Sequence, residues 1–309
     1  MTGVRPPAFS MPAIYRIFTV FVALFGACIG SFLNVCIWRI PLGMSIVSPG
    51  SHCPKCDHPI PWWQNIPVLS WFALRGRCHY CKEPISFRYP LVEALTSALF
   101  LLVWFKFLAP LADPELPFDW MPQQQTQPLL GTTPFHDMWG LPVYLLATFG
   151  LVFGAFVDID HLILPDRVTI GGIILGFVAS PLVPELQGAA TWQSALLRSA
   201  IGFAAGFGGL WLVSFLGSIA FRKEAMGFGD VKLMGAIGAL CGWKAVVFTL
   251  IAASFLGTIV GVALMAAKKR DLQGRIPFGP FLAAGAFAWI CWGQAIADAY
   301  VRLLAPPLP

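Results

Sequence analysis

From Ile17 to Trp38 the chain runs 22 residues without a charged side chain, and seven further apolar runs follow. They span about Leu91 to Leu108, Leu141 to Val157, Val168 to Val183, Ala200 to Phe221, Val231 to Gly242, Ala245 to Ala267 and Phe278 to Leu304. A bilayer core is crossed by roughly 20 helical residues. Only a helix or a closed barrel satisfies its own backbone there, and runs this long and continuous belong to helices. The chain is therefore expected to be an all-α polytopic membrane protein with about eight transmembrane helices. Apolar residues make up 57% and charged ones 11% of 309, which excludes an ordinary soluble domain. The sixth run is short, so tilt, local thinning of the bilayer or a re-entrant path is expected of it.

The loops set the orientation. Between the first two runs lie Arg39, Lys55, Arg75, Arg77, Lys82 and Arg88, whereas the stretch from Ala109 to Gly140 carries Asp113, Glu115, Asp119 and Asp137 with no Lys or Arg. By the positive-inside rule the first loop is cytoplasmic. Eight alternating crossings then place Arg222-Lys223 and Lys268-Lys269-Arg270 on the same side. The basic residues gather beside apolar runs and form no stripe, so the net charge of +5 does not point to nucleic acid. Three regions result: residues 1–38 with an uncleaved first span, a cytoplasmic domain over 39–90, and a transmembrane domain over 91–309. The Pro- and Gln-rich stretch from Ala109 to Gly140 reads as a disordered or inert insertion, and no internal repeat is evident.

Within the first loop stand Cys53-Pro54-Lys55-Cys56 and Cys78-His79-Tyr80-Cys81. Two C-x-x-C knuckles separated in this way suit four thiolates around one tetrahedral Zn²⁺. A cytosolic setting disfavours disulfides, and a redox pair needs only one knuckle. A structural zinc held by Cys53, Cys56, Cys78 and Cys81 is the expectation, with His52, His58 and His79 as surface or supporting groups. Cys28, Cys36, Cys241 and Cys291 lie in apolar runs and read as small buried hydrophobes. Trp62, Trp63 and Trp71 read as an interfacial belt or as local packing.

Two acidic motifs interrupt the apolar pattern: Asp158-Ile159-Asp160 followed by Leu164-Pro165-Asp166, and Gly227-Phe228-Gly229-Asp230-Val231-Lys232-Leu233. Ionisable groups at membrane depth cost about 2.5–3.5 kcal/mol each on insertion scales and are retained for function. On a helix Asp158 and Asp160 point about 200° apart, so only one of them can face a given partner. Asp166 fits as N-cap of the fourth span, after Pro165 ends the preceding helix. Gly227 and Gly229 permit positive φ and close backbone approach, presenting Asp230 at a span entrance; read alone, Asp230 is an N-cap. The topology brings the ends of both motifs to one cytoplasmic face. Two adjacent carboxylates sharing a proton provide a base for water and an acid for a carbonyl, which is aspartic-protease chemistry.

These blocks resemble the type IV prepilin peptidase family, bacterial membrane aspartic proteases of the G-x-G-D type that commonly also methylate the new N-terminus. The resemblance extends through Gly30-Ser31-Phe32-Leu33-Asn34-Val35, both knuckles, Asn65-Ile66-Pro67-Val68-Leu69-Ser70-Trp71, Arg88-Tyr89-Pro90-Leu91-Val92-Glu93 and Ile276-Pro277-Phe278-Gly279-Pro280. It implies Asp158 and Asp230 as catalytic and Asp160, Asp166, Gly227 and Gly229 as supporting. It also implies type IV prepilins or type II secretion pseudopilins as substrates, S-adenosylmethionine as methyl donor, and the bacterial inner membrane as the location. No Rossmann-type glycine fingerprint marks a methyl-donor site; Glu93 and the loop aromatics are candidates for it. Three other readings stand beside this one: a peptidase without methyl transfer, a proton-coupled transporter with mid-span carboxylates, and a zinc-bearing adaptor whose acids are caps.

Overall fold

The computed structural model describes residues 13–108, 139–222, 226–267 and 276–304. The expected insertion up to residue 138, Lys223 and the Lys268-Lys269-Arg270 cluster lie outside the described residues. Outside the cysteine loop the described residues are mostly helical, and the α-helices are α1 (Ala13–Arg39), α2 (Leu69–Ala73), α3 (Arg88–Leu108), α4 (Gly140–His161), α5 (Asp166–Leu182), α6 (Trp192–Phe203), α7 (Gly209–Phe221), α8 (Phe228–Ala266) and α9 (Gly279–Leu304). Among the described residues the only β pairing is two isolated bridges, His52 with Pro59 and Arg77 with Pro84.

Five described helices are long and apolar enough to cross a bilayer: Arg16–Arg39, Arg88–Lys106, Gly140–His161, Trp192–Ala220 and Phe228–Ala266. By this measure the helices do not reach eight. The helix α5 has 17 residues, the apolar stretch of α9 covers Gly279–Gly293, and the sixth and seventh runs form one helical stretch. The fifth span starts at Trp192 rather than Ala200. Gln193, Ser194 and Arg198 hide its first turns from a hydropathy reading, and a Thr191–Ser194 capping box begins it. A π-helical turn, Ala204–Gly208, joins α6 to α7.

At Gly242 the backbone of α8 leaves helical geometry (φ 81, ψ 173). A Cβ built on Gly238 would lie 3.0 Å from Val246 Cγ2, whereas a continuous helix separates residues eight apart by about 12 Å. The two arms of α8 therefore fold toward each other. The carbonyls freed at the end of the first arm are met by side chains from elsewhere. Gln187 Nε2 donates to Ala239 O (2.8 Å) and Leu240 O (3.0 Å), and Ser199 Oγ donates to Ala239 O (2.7 Å). A helix can stop this early inside an apolar bundle because its orphan acceptors are satisfied.

Packing inside lipid rests on close backbone approach. Gly202 of α6 and Gly206 of the π-helical turn lie directly on the α8 backbone at Gly238 O and Met234 O, where a methyl group has no room. The helices α1 and α3 meet in the same way, with Gly30 against the Glu93 backbone and Gly26 against Ser97. The largest core gathers Leu210, Val231, Met234, Ile237, Val246, Leu282 and Ala286 around α8 and α9. These contacts bring the ends of α3, α4, α5, α8 and α9 to one end of the bundle.

Candidate active site

Asp158 occupies the last turn of α4 and is 6% exposed. The Gly279 amide, at the first residue of α9, donates to its Oδ2 at 2.9 Å. A free N–H at a helix N-terminus is a natural partner for a carboxylate oxygen. The approach is tight, since a Cβ on Gly279 would lie 2.8 Å from that oxygen. An amide can only donate, so Oδ2 acts as an acceptor; a proton shared by this group resides on Oδ1 or on a neighbour.

Asp230 lies in the first turn of α8, two residues into the helix, with Gly227 rather than Asp230 as N-cap. Its backbone amide donates to Gly227 O at 3.1 Å. The Asp158 carboxylate stands close enough to act on it electrostatically. Neither motif glycine uses positive φ, contrary to one expectation: Gly227 is extended (φ −64) and Gly229 is helical. What the motif needs is small size. A Cβ on Gly229 would lie 2.9 Å from Leu164 Cβ, and one on Gly227 3.4 Å from Asp230 Oδ2. Leu164 also packs on Gly154, one turn before Asp158, so the Ile163-Leu164-Pro165 loop wedges the two motifs together.

Asp160 points away from Asp158, as helical spacing requires. It forms a bidentate pair with Arg88, Nη1–Oδ1 and Nη2–Oδ2 both at 2.7 Å, while the guanidinium lies over the Phe156 ring. The end of α4 is thereby tied to the start of α3. Asp166 is not the N-cap of α5. Pro165 holds that position and Asp166 follows as the first helical residue, with no capping bond. Its carboxylate instead pairs with Lys232 Nζ at 2.6 Å, which fastens α5 to the first turn of α8. Both site aspartates sit at helix ends, not at mid-span as a proton-coupled transporter requires.

The cysteine loop forms a second centre. Cys53 and Cys81 Sγ are 3.8 Å apart, Cys56 and Cys78 4.0 Å, and all four lie within 4.8 Å of one another. Zinc–sulfur bonds of about 2.3 Å in a tetrahedron require sulfurs about 3.8 Å apart, so the four thiols fit such an ion. The Cys81 and Tyr80 backbone amides draw the Cys78 thiol down to about 6, which favours the thiolate a metal needs. At Cys81 the Glu83 amide pulls downward too, but desolvation and the neighbouring sulfurs outweigh it and carry the group up to about 12. A cation among the four removes that opposition. The three histidines stay outside the sulfur cluster: His58 and His79 pack on Tyr80, and His52 bonds Gly50 O.

The knuckles are a local duplication that the sequence reading missed. Cys53 N donates to His58 O and Cys78 N to Glu83 O, with Asp57 and Lys82 both at φ 59. The signal is present as C-x-x-C-x-x-P-I, from Cys53 to Ile60 and again from Cys78 to Ile85. Glu93 is buried in α3, and its Oε2 accepts the Val68 amide at 2.6 Å, so it anchors the loop. Gly279 is the site residue to which no role had been assigned. Its motif carries no reactive side chain, and only the fold brings its amide to Asp158.

Comparison with known proteins agrees with this architecture. The model of the bacterial peptidase A24 N-terminal domain matches residues 24–107, and that of the type IV leader peptidase family matches 145–262. A prepilin leader peptidase/N-methyltransferase of Myxococcus xanthus is 38% identical over 84% of this chain and 68% of its own length. Namesakes from Stutzerimonas stutzeri (31%; 92% of this chain, 94% of its own) and Aeromonas hydrophila (34%; 91% and 92%) align over nearly the whole length. No solved structure matches. With both halves matched and relatives above 30% identity covered almost end to end, the chain belongs to the prepilin leader peptidase/N-methyltransferase family.

Proposed function

We propose that this membrane protein removes the leader peptide of type IV prepilins and methylates the exposed N-terminal residue, with Asp158 and Asp230 as the hydrolytic pair. The observation that carries the reading is the convergence of Asp158, bonded by the Gly279 amide, with Asp230 at one end of the bundle. One carboxylate takes a proton from water as its oxygen attacks the scissile carbonyl carbon. The other, protonated, donates to the carbonyl oxygen. Collapse of the tetrahedral diol returns a proton to the leaving nitrogen, releasing the leader's carboxyl group and a free amine. The pair titrates as a unit, so the acid and base roles belong to the dyad. Arg88 with Asp160 and Lys232 with Asp166 hold the two helix ends in register, and Gly227 and Gly229 let them approach.

The positive-inside bias supports a site on the cytoplasmic face of the inner membrane, reached by the end of a membrane-inserted substrate helix. Eight crossings follow if α5, α9 and each arm of α8 span. Pseudopilins of type II secretion present the same chemistry and fall within the substrate range. Cys53, Cys56, Cys78 and Cys81 hold a structural Zn²⁺ that stabilises the module of residues 39–90 and takes no part in hydrolysis. S-adenosylmethionine supplies the methyl group to the neutral amine. Purified protein in lipid is incubated with a prepilin and S-adenosylmethionine, and mass spectrometry reads leader loss and methyl gain together. Both changes are expected; retention of the leader overturns the reading, and leader loss without methyl gain restricts it to the peptidase.

A further inference from the structure

The sixteen residues from Pro59 to Leu74 contain no acidic or basic side chain, yet much of this stretch is exposed. Trp62 is 76% exposed, Trp63 57%, Leu69 65%, Phe72 59% and Ile66 40%. Leu69 and Phe72, three apart on α2, share one face of that helix, and Ile66 stands in the turn just before it. Trp71 points the other way, with its Nε1 on Ile85 O (3.0 Å) and its ring beneath Gly76. Of the three tryptophans in this stretch, Trp71 is therefore local packing, while Trp62 and Trp63 are left uncovered. A small module resting on four sulfurs does not expose such a patch to water without a partner.

The position of the patch along the bundle identifies that partner. Val68, immediately before α2, donates its amide to Glu93 Oε2 at 2.6 Å, and Glu93 lies five residues inside the spanning helix α3, about 7.5 Å from its start. On the other side Gly30 touches the Glu93 backbone, and α1 continues nine residues beyond it to Arg39, about 13.5 Å. Val68 is thus held level with Glu93, inside the ends of both spanning helices, and its offset of about 7.5 Å from the start of α3 is close to the depth of a headgroup layer, roughly 5–7 Å per leaflet. Its backbone holds φ 63, unusual for a β-branched residue, and the bond to Glu93 fixes it there. Arg75 and Arg77, both exposed, follow directly along the chain, and basic side chains of this kind suit anionic headgroups.

We infer that the face formed by Trp62, Trp63, Ile66, Leu69 and Phe72 lies in the headgroup layer and docks the four-cysteine module on the lipid surface. Indole rings favour that depth and aliphatic tips reach the acyl boundary. The inference rests on the membrane-embedded fold and not on the proposed reaction. It is tested in full-length protein reconstituted in vesicles of phosphatidylethanolamine and phosphatidylglycerol. A photoreactive benzoylphenylalanine replaces Leu69 or Phe72, or Glu83 on the knuckle as reference. After illumination, mass spectrometry of peptides is expected to show roughly tenfold more phospholipid adduct at 69 and 72 than at 83, since photolabelling requires direct contact with lipid. Adducts to a second copy, adducts to added prepilin, or equal lipid labelling at 83 would overturn the inference. The exchange at Phe72 is aromatic for aromatic, and retained zinc content shows that the module is folded.

Discussion

Gly279→Ala isolates the contact that positions Asp158. The methyl group introduced would stand 2.8 Å from Oδ2, 3.2 Å from Cγ and 3.3 Å from Cβ of Asp158. Ordinary carbon–oxygen contact begins near 3.4 Å, so the carboxylate must withdraw by about 0.6 Å or the start of α9 must shift by as much. Either motion lengthens the 2.9 Å bond from the Gly279 amide. A hydrogen bond to a charged group contributes about 1.5–3 kcal/mol, and a misplacement approaching 1 Å in a reacting group costs up to about 10²-fold in rate. Leader cleavage is therefore expected to fall about 10- to 100-fold, chiefly in kcat, because the contact orients a reacting carboxylate. The assay is mass-spectrometric leader loss in proteoliposomes, with methylation of an already cleaved pilin as internal control. Cleavage at the parental rate by folded Gly279→Ala protein would refute the reasoning, since the substituted site could not then depend on this contact.

Three other perturbations act on separate parts of the fold. Arg88→Ala and Asp160→Asn each break the bidentate pair, whose side chains are 34% and 23% exposed; solvent screening keeps the stability loss within about 1 kcal/mol. Cleavage is expected to drop several-fold, with the double variant no worse than either single one in a mutant cycle. Gln187→Ala leaves Leu240 O without its donor and Ala239 O with Ser199 and a longer bond from Ser180, which costs about 1–2 kcal/mol; a thermal melt in detergent is expected to shift down by a few degrees. Cys78→Ser is expected to abolish the zinc measured by elemental analysis and to loosen residues 39–90 to protease, while α4 and α8 stay protected.

Much of the site is readable because it depends on local geometry. The spacing of Asp158 and Asp160 already requires divergence, and the structure sends one to the Gly279 amide and the other to Arg88. The knuckles were readable for the same reason. Where the reading erred, a competing contact reassigned a residue. Asp166 looked like a cap because Asp favours that place, but Pro165 occupies it and Lys232, 66 positions away, takes the carboxylate. Of the two properties expected of the second motif's glycines, close approach is what the structure uses, Gly229 against Leu164 and Gly227 against the Asp230 carboxylate, and positive φ is not. The shortness of the sixth run was visible in its apolar length. Its explanation, a glutamine from between α5 and α6 capping Ala239 and Leu240, was not, because a hydrogen bond spanning 52 residues leaves no mark on periodicity.

The central claim is that Asp158 and Asp230 hydrolyse the leader as a pair. Asp158→Asn and Asp230→Asn, each purified in lipid, are to be compared with the parent for leader loss and, on a pre-cleaved pilin, for methyl gain. Either substitution leaves a single carboxyl group, so cleavage is expected to fall by at least about 10³-fold. Methylation of the pre-cleaved pilin needs no second carboxylate at this pair and is expected to continue near the parental rate. Leader cleavage at the parental rate by either variant would contradict the account.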